Sequence, residues 1–215
     1  VSDPHQHVVL LGDSIFDNSA YTGGRPDVVV QLRRLLPAEW AATLCAVDGA
    51  TTADLGRQLK RVPAGATHLV ISIGGNDALQ NSDLLTLRVS SSDQALRAFA
   101  ARVDTFERDY RAAIEAAVAL GRHTTVCTVY NGALDPNEAV VARVALALFD
   151  DVILRTAIDM RLTALELRSI CTERADYANP IEPSARGGAK IAAAIARAIG
   201  AISAHEPPAQ VWGDG

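Results

Sequence analysis

Three short segments and one longer one carry residue types that could do chemistry together. Gly12-Asp13-Ser14 closes the apolar run VVLLGD (Val8 to Asp13) and sets a serine hydroxyl where a strand should turn into a helix. Backbone N–H groups at such a turn favour negative charge. Gly49, within ATLCAVDGAT (Ala42 to Thr51), offers an N–H unshielded by a side chain, and Asn76 brings an amide N–H beside Gly74 and Gly75. Acyl transfer needs a nucleophile and two or three donors that converge on a developing oxyanion. Ser14, Gly49 and Asn76 are parts of that kind. The fourth segment, DYANPIEPSARGGAKIAAAIARAI from Asp176 to Ile199, has the outline of a catalytic loop feeding a helix. It contains no histidine.

These residues can meet only if the elements carrying them end at one place. Five β-rich runs alternate with helical stretches: VVLLGD, ATLCAVDGAT, HLVISIGGND (His68 to Asp77), TTVCTVYNG (Thr124 to Gly132) and TALELRSI (Thr163 to Ile170). Continuous apolar strands separated by helical patterns predict a five-stranded parallel sheet covered on both faces. Right-handed crossovers then give a flavodoxin-like α/β three-layer sandwich, with strand order 2-1-3-4-5. In such a sheet all strand C-termini share one edge, and ligands bind there. Ser14, Gly49 and Asn76 follow the first three strands, so position in sequence stands in for position in space.

With those segments in hand, the chain resembles the SGNH hydrolase superfamily, also called GDSL esterases and lipases, from strand 1 to the final helix. The resemblance implies the SGNH-type fold, Ser14 as nucleophile, and an oxyanion hole made of the Ser14 N–H, the Gly49 N–H and the Asn76 amide. It implies no cofactor and no metal. The family's last motif is Asp-x-x-His before a helix. Here that register reads Asn179-Pro180-Ile181-Glu182, with asparagine in the aspartate position and glutamate in the histidine position.

None of the five histidines is placed to substitute. His5, His7, His68 and His123 precede strands or open them, and His205 follows the last helix. At ~3.3 Å per residue, the path from His68 to Asn76 spans about 25 Å, whereas a general base must come within about 3 Å of its proton or act through one water. Glu182 therefore stands as the provisional base, with its pKa to be raised by burial beside Ile181 and Pro183 and with Asn179 near its carboxylate. The other reading open for Glu182 is that, with Ser184, it caps the final helix. Tyr130, Tyr177 and Gly75 are candidates to line the substrate pocket, and Arg25 could meet an anionic group. Asp48 and Asp77 read as braces for their loops. Asp17, Asp135, Glu138 and Asp176 are further carboxylates at this edge, without spacing that specifies a metal.

Composition agrees with this reading and excludes others. Across 215 residues the chain is 49% hydrophobic and 21% charged with net charge −5, so disorder and an electrostatic footprint for nucleic acid are both excluded. Cys45, Cys127 and Cys171 lack metal or disulfide spacing and read as buried thiols. No apolar run approaches the ~20 residues of a membrane span. The expectation is one domain over residues 1–215 with a core of about 7–203, acting as a cytoplasmic bacterial hydrolase on a small ester or acyl substrate. An acyltransferase or deacetylase, and a catalytically silent homologue that binds a ligand or partner, remain the alternatives.

Overall fold

The computed structural model describes residues 6–203. Its five strands are β1 (Gln6–Gly12), β2 (Trp40–Leu44), β3 (His68–Ser72), β4 (His123–Cys127) and β5 (Thr163–Leu165). They form one sheet in the order β2-β1-β3-β4-β5, and every pairing is parallel. The expected order and the α/β architecture are therefore what the chain adopts. Strands β2 to β5 are shorter than the apolar runs that signalled them, because the turn residues after each run leave the ladder. In the third run this tail forms a separate helix, and in the fifth the residues after Leu165 do the same.

Among the described residues seven α-helices accompany the sheet: α1 (Val28–Leu35), α2 (Leu55–Leu59), α3 (Gly75–Gln80), α4 (Ser92–Val118), α5 (Pro136–Asp159), α6 (Leu167–Ile170) and α7 (Ala185–Ala198). Strand β1 shows why both faces must be covered. Val8, Val9, Leu10 and Leu11 are all fully buried, and successive side chains of a strand point to opposite faces. Val8 and Leu10 join a core with α1 and α7, through Val28, Leu32, Ile191 and Ile195. Val9 and Leu11 join a second core with α2, α4 and α5, through Leu55, Phe106, Ile114 and Ile153. Burying a side chain of this size contributes about 1.5–3 kcal/mol. Strand β1 therefore ties both layers to the strand end that carries Ser14.

Two close approaches fix the geometry around that end. Gly12 has φ +128°, and a Cβ there would fall 1.8 Å from the Ser72 carbonyl oxygen, so only glycine fits. Its N–H donates to Gln58 Oε1 and its carbonyl accepts from Gln58 Nε2, both at 2.7 Å. At the start of α7, a Cβ on Gly187 would come within 2.1 Å of the Asp176 carbonyl oxygen. The Gly-Gly pair thus lets the start of the last helix press on the loop before it and on α1. Helices α4 and α5 are pinned together on the other side, where Arg155 donates to both Glu107 oxygens at 2.7 and 2.8 Å. Those bonds, helped by Arg111, draw Glu107 down to about 2.

Candidate active site

The turn after β1 is built by Asp13. Its backbone carbonyl accepts the N–H groups of Phe16 and Asp17, and its Oδ1 accepts that of Ile15 at 3.1 Å. This leaves Ser14, 8% exposed, directed at the loop before α7. That loop is held by short antiparallel contacts: the Ala178 N–H donates to the Glu182 carbonyl, the Ala133 N–H to the Pro180 carbonyl, and the Tyr130 hydroxyl to the Ile181 carbonyl. Across the gap, Ser14 Oγ donates to Glu182 Oε1 at 3.1 Å. Glu182 is 7% exposed, and its Oε2 is buried with no hydrogen-bond partner among the described residues.

The cap and the carboxylate are different residues. Ser184 caps α7, its Oγ accepting the Gly187 N–H at 3.3 Å, while the Glu182 side chain turns to Ser14. Asn179 lies beside Glu182 in sequence, but its Oδ1 accepts the backbone N–H groups of Ile181 and Glu182, each at 2.9 Å. It shapes the loop that presents Glu182, and no described hydrogen bond runs from its amide to the carboxylate.

Burial raises the pKa of Glu182 above the ordinary carboxylate value; the hydrogen bond from Ser14 opposes this and the charge of Asp48 adds to it. Asp13, fully enclosed, is pushed up to about 7, chiefly by desolvation, with the charges of Glu182 and Asp77 contributing. Sequence reasoning passed over Asp13 because an Asp-Ser pair after a strand reads as a cap. The signal for a buried, titrating carboxyl was its place directly after four buried apolar residues and a glycine.

Asn76 is the second residue of α3, after Gly74 with φ +119°. Its Nδ2 donates to the Ala50 carbonyl at 2.9 Å, which uses one of the two amide hydrogens and fixes the side chain. Ala50 follows Gly49, whose φ of +77° belongs to the turn after β2. Asp77 braces the same junction by accepting the Thr52 N–H at 3.0 Å. Asp48 accepts from the Tyr21 hydroxyl at 2.7 Å and its N–H donates to Asp17 Oδ2 at 3.0 Å, so these loop carboxylates hold loops as expected.

A cavity of about 140 Å³ takes in Ser14, Gly75, Asn76, Tyr130 and Glu182. Gly49 and Tyr177 are not among its lining residues. Tyr177 packs edge-on behind Tyr130, with centroids 5.1 Å apart, and donates to the Cys171 carbonyl. Asp176 pairs with Lys190 at 2.7 Å, away from the cavity. His7 bonds Thr43, and His68 stacks between Trp40 and His123, all at strand starts on the opposite edge. His5 and His205 lie outside the described residues. Cys45, Cys127 and Cys171 are buried free thiols.

A doubly wound sheet with glycine-rich turns after its first three strands and a serine at the first of them has the architecture of the SGNH hydrolases. The GDSL-like Lipase/Acylhydrolase family model matches residues 10–190, and the chain belongs to that family. No curated protein matches it in sequence. Among solved structures it is similar to an extracellular lipase from Streptomyces rimosus (18% identity, TM-score 0.65, covering 90% of this chain and 99% of the lipase). It is also similar to an acetylxylan esterase from Geobacillus stearothermophilus (17%, 0.67, 92% and 95%) and a phospholipase A1 from Streptomyces albidoflavus (17%, 0.63, 89% and 98%). Among the described residues no helix is long and apolar enough to cross a membrane.

Proposed function

We propose that this protein hydrolyses an ester or related acyl bond, with Ser14 as nucleophile and Glu182 as general base. The observation that carries the reading is the buried 3.1 Å hydrogen bond from Ser14 Oγ to Glu182 Oε1, within a cavity that also contains Asn76. Ser14 Oγ attacks the acyl carbon as its proton passes to Glu182. The negative charge that develops on the carbonyl oxygen is met by the free Asn76 N–H, with the Ser14 and Gly49 N–H groups as the further donors. The acyl C–O bond then breaks, and protonated Glu182 returns its proton to the departing alcohol. Water attacks the acyl-Ser14 carbon as Glu182 takes its proton; the Ser14 Oγ–carbon bond then breaks, Glu182 returns that proton to Oγ, and the acid leaves. An acceptor other than water would make the same acyl-serine a transferase intermediate.

A free carboxylate, near pKa 4.3, is a weaker base than imidazole near 6.5, a gap of about two units. Burial narrows this gap by raising Glu182, and among the described residues no charged partner stabilises its ionised form. The decisive experiment is labelling with a fluorophosphonate probe, read by mass spectrometry. Modification at Ser14 is the expected result; folded protein left unlabelled would favour a silent binding homologue and sink the hydrolytic reading. Asn76→Ala should lower kcat about 10²- to 10³-fold on an activated ester, the usual consequence of losing one oxyanion donor. A change below about threefold in a folded variant would remove Asn76 from that role.

A further inference from the structure

The solved structures this chain is similar to include an acetylxylan esterase and a lipase, and the wall of this cavity bears on which acyl group belongs here. On the side away from Glu182, the cavity is closed by Phe99, Ala142, Ala145, Leu146 and Phe149, from α4 and α5. No lysine, arginine or histidine lies among the residues lining it, so nothing there matches a phosphate or a carboxylate. Leu79 and Leu85, 47% and 41% exposed, extend the apolar surface to the mouth. Behind Glu182, outside the cavity lining, the surroundings are polar: Tyr21 and Asp17 hydrogen-bond to Asp48, whose charge acts on Glu182.

Chemistry assigns the two sides. The departing oxygen must collect its proton from Glu182, so the alcohol faces the Glu182 side. The acyl substituent then points past Asn76 into the apolar wall. Resting on the hydrolytic reading above, we infer that the substrate is an ester of a medium-chain apolar acyl group, with about six carbons enclosed between α3, α4 and α5. The volume of about 140 Å³, part of it against Ser14 and Glu182, sets the upper bound on size, since an apolar protein cavity of about 150 Å³ accommodates a six-carbon ring. Longer chains must run out over Leu79 and Leu85, where each added methylene is only partly removed from water.

A p-nitrophenyl ester series from acetate to decanoate tests this. Each enclosed methylene is expected to raise kcat/KM about fourfold, so hexanoate should exceed acetate by about 10²-fold, with little further gain beyond octanoate. Ala145→Trp, at a partly exposed helix position on the cavity wall, should lower the hexanoate-to-acetate ratio at least tenfold, the two esters being compared within the same folded variant. Ala142→Leu, a smaller change, should move the ratio the same way. Acetate as the best wild-type substrate, or equal loss on both esters in folded variants, would overturn the assignment. If no ester is turned over, the hydrolytic reading fails by itself. The pocket is then judged by calorimetry with neutral hexanamide against acetamide. Preferential hexanamide binding that Ala145→Trp abolishes supports the apolar pocket, and its absence overturns it.

Discussion

Ser14→Ala is expected to abolish turnover of activated esters, with kcat falling about 10⁴-fold or more, as when the nucleophile of a serine hydrolase is removed. No other described hydroxyl in the cavity is hydrogen-bonded to Glu182. Tyr130 spends its hydroxyl on the Ile181 carbonyl, and Ser82 lies on the stretch after α3. The substitution also has a consequence a general loss of fold would not produce. The hydrogen bond from Ser14 lowers the Glu182 pKa against the effect of burial. Removing it leaves both carboxylate oxygens unpartnered, so the Glu182 pKa should rise further. A carboxyl titration followed by NMR in wild type and Ser14→Ala would report that shift directly. Ser14→Ala with wild-type turnover would mean that the esterase signal arises at another site.

How much of this was readable in advance follows from which interactions are local. Strand order was legible because each apolar run is continuous, which demands burial on both faces, and because the right-handed crossover leaves few arrangements. Ser14, Asn76 and Glu182 were legible as positions because all three follow elements that end at one edge. Their side-chain roles were not equally visible. Asn179 read as a partner for the carboxylate, but an asparagine before proline also suits an Asx-type turn, and the loop claims its oxygen first. Glu182 could be read as the base or, with Ser184, as a cap of the last helix; only the spatial closeness of residues 168 apart in sequence separates the two readings. The apolar wall was missed, although α5 carried a signal. Its AVVARVALALF stretch is apolar on more than one face, and a helix of that kind must use the second face for something. Ala142, Leu146 and Phe149 give it to the cavity, while Val140, Val141 and Val144 stay exposed.

Glu182→Gln is the second large effect expected, a loss in kcat of about 10²-fold or more, because the isosteric amide keeps the shape and cannot take the serine proton. The pH dependence separates this from a packing defect. Glu182 must be ionised to act, and its pKa lies above the ordinary carboxylate value, so wild-type kcat/KM should fall as pH drops through that raised pKa. The acid limb should vanish in Glu182→Gln. Asp13 is the competing source of such a limb, since it titrates at about 7 beside the same serine. Asp13→Asn keeps the acceptor for the Ile15 N–H and should retain the Glu182 limb. Stability runs the opposite way to activity. A carboxyl whose pKa is raised in the fold favours the native state below its unfolded pKa, and that contribution is lost as pH rises through the folded value. Above its raised pKa the wild type therefore holds an ionised Glu182 with Oε2 unpartnered among the described residues, and there Glu182→Gln should be no more than about 1 kcal/mol less stable. Placing Asp at 179 and His at 182 gives the complementary measurement. A strong gain in esterase rate near neutral pH would mark the wild type as a silenced site, whereas no gain, alongside inactive Glu182→Gln, would favour a working serine–glutamate pair. Unchanged turnover in well-folded Glu182→Gln would exclude the carboxylate as base.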